Sequence, residues 1–167
     1  MQIFEIKKNI KKLEMSLFFY FNIVSYLSID EIKSLLSIPN IKDDNEFRHL
    51  IILTLLYETG ARVSELINVK LIDINFNNTP YIILHGKGNK TRSVPISKDV
   101  SNMLKIYLNR FNIKDQNDYF LKNKFNKKIT RDGVQYIIDT YIKRAKEKYP
   151  NYYTQKITIV FPKWGDW

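Results

Sequence analysis

The chain contains no cysteine. That excludes a disulfide framework, a cysteine-ligated zinc site and a thiol nucleophile, and it fits a protein of the reducing cytoplasm. Histidine is almost as scarce. His49 and His85 stand far apart and show no metal-ligand spacing. Glycine and proline number five each, and no Pro/Gly/Ser-rich linker or internal repeat divides the sequence. The 167 residues therefore read as one domain, or one domain with a short appendage. The longest apolar stretch near the N-terminus, Met15 to Leu27, is broken by Asn22 and Ser25 and is too short to span a bilayer. Lys7, Lys8, Lys11 and Lys12 precede it as in a secretory signal, but no small-residue cleavage site follows, so export and membrane insertion are not expected.

What is present is basic charge, unevenly placed. The formal net charge is +10. Residues 1–79 carry 9 Lys/Arg against 10 Asp/Glu, whereas residues 80–167 carry 18 against 7. An excess confined to one half suggests a polyanionic partner facing that half. A lysine-rich solvated surface gives the same count. Hydrophobic residues make up 44%, enough for a folded core.

The patterning predicts a mainly helical α+β fold with a small three-stranded antiparallel sheet. Residues 1–25 read as one helical segment, and residues 26–167 as the main domain. Ser28 and Glu31 form a capping box that opens a helix, which Pro39-Asn40 ends. Phe47 to Tyr57 is apolar nearly all round, hence a buried helix, and Thr59-Gly60 breaks it. A second helix is expected from about Arg62 to Lys70. Ile72, Ile74 and Phe76 alternate with Asp73 and Asn75, which predicts a half-buried strand. Tyr81 to Leu84 and Thr91 to Ile96 complete the meander around turns at Asn77–Pro80 and Gly86–Asn89. Ser97 caps a helix with the stripe Val100, Met103, Leu104, Tyr107, Leu108 and Phe111. Tyr119–Leu121 and Lys128-Ile129 suggest two short strands. Thr130 caps the last helix, which buries Val134, Ile137, Ile138, Tyr141 and Ala145 and stops at Pro150.

Two positions stand out chemically. Arg62 lies at a helix start, three residues before Glu65. The pair is either an ordinary (i, i+3) ion pair or a phosphate clamp, in which a planar and permanently charged donor fork is oriented by the carboxylate. Lys87 lies between two glycines at a hairpin tip, with Lys90 and Arg92 following. It is either a solvated turn residue or a mobile ammonium that contacts a phosphate or donates a proton. Lys143 and Arg144 add cations near the end of the last helix. On placement alone, Lys87→Ala should leave the fold intact, while Arg62→Ala should leave Glu65 without its partner.

In combination the two positions are specific. Thr59–Leu66 reads T-G-A-R-V-S-E-L, and His85–Ile96 reads H-G-K-G-N-K-T-R-S-V-P-I. From about Tyr26 to Thr158 the chain resembles the tyrosine-recombinase, or phage-integrase, catalytic domain. Tyr26–Leu36 resembles its opening helix, and Ile129–Ala145 the helix before its second catalytic cluster. The resemblance implies metal-free and cofactor-free chemistry in which a tyrosine attacks a scissile phosphate of double-stranded DNA and leaves a 3′-phosphotyrosyl link. Two arginines would stabilise the transition state. Arg62 matches the first of them, Lys87 the lysine that protonates the leaving 5′-oxygen, and Glu65 the acid that supports the arginine. Lys87, Lys90, Arg92, Lys143 and Arg144 become expected DNA contacts, and other recombinase subunits expected partners.

The pattern departs after Thr158. Val160 stands where the resemblance expects histidine and Lys163 where it expects the second arginine, and no tyrosine matches the nucleophile. Tyr152 and Tyr153 precede that cluster and are expected to pack or to sit in a loop. The expectation is a truncated or interrupted recombinase from a mobile element that binds DNA and is inactive alone. The alternatives are a non-catalytic DNA-binding regulator of the same fold and an unrelated metal-dependent nuclease built on Asp43, Asp44 and Glu46.

Overall fold

The computed structural model describes residues 27–153. The segment 1–25 and the departure after Thr158 lie outside the described residues.

Helix α1 is Ile29–Leu36. Its capping box forms as the sequence predicts: Ser28 Oγ accepts the Glu31 N–H at 3.2 Å, and Glu31 Oε2 accepts the Ser28 N–H at 2.7 Å. Helix α2, Asp44–Thr59, starts at the Asp43 cap. Ile51, Ile52, Leu55 and Leu56 are each 1% exposed or less, so α2 is the central post of the core. It packs against α1, against α3 (Val63–Leu66), against α4 (Lys98–Arg110) and against α5 (Arg131–Lys148). An aromatic cluster seals α2 onto α4: the Phe47 ring of α2 lies 6.4 Å from those of Tyr107 and Phe111, and Tyr107 lies 5.1 Å from Phe120 between ring centroids. Such pairs add about 0.5–1.5 kcal/mol beyond their buried area.

The sheet is a meander of β1 (Ile74–Asn75), β2 (Tyr81–His85) and β3 (Thr91–Pro95), antiparallel throughout. Ile82 and Leu84 point to the core and are fully buried.

Three expectations are corrected. The helix beginning near Arg62 ends at Leu66 rather than Lys70. The strand expected from Ile72 is a 3-10 turn over Leu71–Asp73, and only Ile74–Asn75 pairs. Asp73 folds back so that its Oδ2 accepts the Lys70 N–H at 2.9 Å. This turns Ile72 outward, 60% exposed, and buries Asp73. Finally, the segments around Tyr119–Leu121 and Lys128-Ile129 form single bridges, Lys70 with Tyr119 and Lys122 with Lys128, instead of strands.

Tyr153 closes the described fold. Its hydroxyl lies 2.5 Å from Ser34 Oγ and 2.5 Å from the Glu31 carbonyl, and its backbone N–H donates to Glu31 Oε1 at 3.0 Å. Tyr153 is therefore a packing residue of α1, as the sequence suggests.

Candidate nucleic-acid interface

The site begins where α2 stops. Gly60 takes the left-handed conformation (φ 56°) and its N–H bonds Leu56 O at 3.1 Å. A side chain at that φ would be strained. Thr59 Oγ1 ties the corner together, donating to Leu55 O at 2.6 Å and accepting the Ala61 N–H at 3.2 Å. This corner sets Arg62 in extended backbone as the cap of α3.

Glu65, whose side chain is only 3% exposed, is the centre of the arrangement. Its Oε1 accepts Arg62 Nη1 at 3.0 Å and Arg92 Nη1 at 2.9 Å. Its Oε2 accepts the Arg62 backbone N–H at 2.9 Å and Arg92 Nη2 at 2.8 Å. All four acceptor directions of the carboxylate are used, and Arg92 binds as a bidentate fork. Burial by itself would raise the Glu65 carboxyl; the hydrogen bonds and charge of Arg92, with the backbone and side-chain hydrogen bonds of Arg62, outweigh it and hold the group below its ordinary range.

Strand β2 approaches the same carboxylate through Gly86. A Cβ built there would come 3.1 Å from Glu65 Oε1, so any side chain at this position would press on the carboxylate. The hairpin is pinned at its base by Gly86 N–H to Lys90 O at 2.7 Å. Lys87 and Lys90 are exposed beyond that pin. Arg62, Glu65, Arg92 and the Lys87 hairpin thus meet at one end of the sheet.

The hairpin spacing marks Arg92 as a DNA-facing cation; the structure in addition ties it to Glu65. A signal was available: Arg92 and Val94 alternate with Thr91, Ser93 and Pro95, which puts Arg92 on the inward face of β3.

The remaining cations lie elsewhere. Lys143 is exposed. Arg144 Nη1 donates to Glu46 Oε1 at 2.7 Å and its guanidinium lies 5.2 Å from the Tyr141 ring. Glu46 is at the far end of α2 from Gly60, roughly 20 Å away at 1.5 Å per residue, so Arg144 does not join the Arg62 cluster.

The nuclease alternative fails on geometry. Asp43 Oδ1 caps α2 by accepting the Glu46 N–H at 2.8 Å, Asp44 Oδ1 accepts Arg110 Nε at 2.7 Å, and Glu46 is held by Arg144 and by the Asn40 N–H at 2.6 Å. Among the described residues no group of three His, Cys, Asp or Glu is placed to hold a metal ion, and no helix is long and apolar enough to cross a membrane.

Residues 25–155 match the model of the phage integrase family. The chain belongs to that family. It is similar to tyrosine recombinase XerC of Staphylococcus epidermidis, with 39% identity over 109 residues that cover 63% of this chain and 36% of the relative. It is also similar to tyrosine recombinase XerD of Staphylococcus haemolyticus, with 36% identity over 126 residues that cover 71% and 41%. The chain thus spans about two-fifths of the length of these relatives. Among solved structures, XerA recombinase matches with a TM-score of 0.61 and 28% identity, over 72% of this chain and 42% of that one. XerH site-specific recombinase bound to palindromic difH substrate shares the fold, with a TM-score of 0.64 and 21% identity over 74% and 37%.

Proposed function

We propose that this chain grips the phosphate backbone of duplex DNA with the Arg62 and Lys87 end of its sheet, as the DNA-binding part of a site-specific tyrosine recombinase. The observation that carries the reading is the sharing of Glu65. One carboxylate serves two guanidiniums, so the cluster keeps one positive charge in excess. Arg62 is fixed in position, yet its side chain remains 55% exposed. Pre-positioned donor N–H groups of this kind suit a phosphate, and they do not reorganise when charge develops on it. Lys87, carried on the pinned hairpin beside them, is the proton donor and Lys90 a further phosphate contact. Lys143 and Arg144 meet the backbone at a second place. The two Xer relatives and the DNA-bound XerH neighbour support this reading.

Binding is tested by titrating labelled duplex DNA at several salt concentrations. Each phosphate contact lowers log K by about 0.9 per log unit of salt, so the expected slope corresponds to a few contacts, reduced in Arg62→Ala and in Lys87→Ala. A flat salt dependence, or no binding at low salt, overturns the proposal.

A further inference from the structure

His85 immediately precedes the hairpin glycine and points to the face of β2 opposite Leu84, because successive strand residues alternate. Its Nε2 lies 3.0 Å from Asp73 Oδ1, and its Nδ1 lies 3.4 Å from Thr91 Oγ1 on the neighbouring strand. The Asp73 carboxylate can only accept, so Nε2 carries the hydrogen. In neutral imidazole Nδ1 is then the acceptor, facing the Thr91 hydroxyl. A proton added at Nδ1 converts it to a donor and places a full positive charge beside the hairpin that carries Lys87 and Lys90. Asp73 is itself fixed by the Lys70 N–H and its side chain is 12% exposed, whereas that of His85 is 54% exposed. Nε2 is thus held by Asp73, whereas among the described residues Nδ1 makes only the long contact with the exposed Thr91 hydroxyl, which a phosphate oxygen can displace.

We propose that His85 is a phosphate-contacting residue of this hairpin, held by Asp73, and that it engages DNA in its protonated form. The inference rests on the DNA-binding reading above. Among the described residues the charged group bonded to the ring is Asp73 from the 3-10 turn, and Lys87 and Lys90 follow His85 on the same hairpin. Strand β3 presents the uncharged Thr91 opposite His85, and strand β1 pairs with Tyr81 and Ile82, away from the ring. Glu65 and Arg92 lie with Leu84 on the strand's other face. The two lysines oppose a further cation, and Asp73 and a bound phosphate favour it. A phosphate bound to the imidazolium favours the added proton, so binding is coupled to proton uptake and affinity rises as pH falls. The only other histidine, His49, is tied to Tyr141 OH at 3.2 Å within the helical part of the fold and serves as an internal control.

The test is duplex binding by fluorescence anisotropy at fixed ionic strength from pH 8.0 to 5.5, for the 167-residue chain, His85→Gln and His49→Gln. The expected result is tighter binding at lower pH, by up to about tenfold per pH unit. The salt slope at low pH should be steeper by about 0.9. Both effects should vanish in His85→Gln and persist in His49→Gln. If His85→Gln fails to fold, the imidazole signals of the unaltered chain give the answer by NMR: the His85 midpoint moves up when duplex is added and that of His49 does not. A pH dependence retained in His85→Gln, or a His85 midpoint unmoved by DNA, overturns this inference and leaves the binding proposal standing. Absence of DNA binding at every pH and salt removes both.

Discussion

Glu65 is shared, so removing one of its guanidiniums and removing the carboxylate have different consequences. In Arg62→Ala the Arg92 fork still satisfies both oxygens. The lost pair is partly exposed, so the expected cost is below about 1 kcal/mol. The sequence alone suggested a stranded carboxylate, because the (i, i+3) spacing showed one partner and hid the other, which comes from a strand 27 positions away. In Glu65→Ala two guanidiniums lose their common counter-charge, and the expected cost is on the order of 1–3 kcal/mol. Urea melts of both variants check the order; equal losses would contradict the shared-carboxylate account. The pH dependence has a definite sign. The folded-state carboxyl titrates below its ordinary value of 4.5, so its contribution is present above that value and is lost as pH falls through the lower folded value. Glu65→Gln should therefore flatten part of the acid limb of the stability curve and leave its neutral-pH slope unchanged.

At the scale of elements, the hairpin and the end of α2 are separable parts of one site. Lys87 extends beyond the Gly86–Lys90 pin, so Lys87→Ala should change stability by no more than about 0.5 kcal/mol while lowering DNA affinity. Gly86→Ala should behave differently. Its backbone (φ −101°, ψ −178°) accepts any residue, so the hairpin itself is not strained. The added methyl meets a Glu65 oxygen that already takes two N–H bonds and has little room to move. We expect a loss of about 1–3 kcal/mol from overpacking and a several-fold drop in DNA affinity; a melt and a titration equal to those of the unaltered chain would show that Glu65 yields freely. Elements with strong local signals were legible in the sequence: the Ser28 and Glu31 box, the Ser97 and Thr130 caps, and the β2–β3 hairpin around its two glycines. The segment from Lys70 to Phe76 was not. Its alternation fits a strand, but the Asp73 carboxylate competes for the Lys70 backbone and winds the first half into a turn. Asx-type back-bonding of this kind depends on where the neighbouring chain lies and leaves no mark in a period-two pattern.

At the scale of the whole molecule, charge and chemistry divide differently. The basic excess lies in residues 80–167 and accompanies the hairpin and α5, whereas Arg62 and Glu65 come from the nearly neutral half. The site is thus made where the two halves meet, a junction that a count along the chain does not show. These 167 residues alone are expected not to cleave DNA. Cleavage of a phosphodiester by a tyrosine requires a nucleophile and donors arranged around the phosphate. In the proposed reading Arg62 and Lys87 would supply part of the donor set. Val160 has no proton to exchange, and Lys163 lacks the planar fork of the arginine expected there. Removing one preorganised donor costs roughly a hundred- to a thousand-fold in rate, and residues that act as a unit fail together. Of the two tyrosines nearest that cluster, Tyr153 is buried, its hydroxyl bound to Ser34 and the Glu31 carbonyl, and burial raises its phenol above the ordinary range, so it is a poor nucleophile. Incubated with a nicked suicide duplex, the chain should bind and yield no covalent protein–DNA adduct on a denaturing gel. A metal-independent adduct that disappears in Arg62→Ala would show that the chain carries a complete catalytic set, and Tyr153→Phe and Tyr152→Phe would then identify whether either phenol forms the bond.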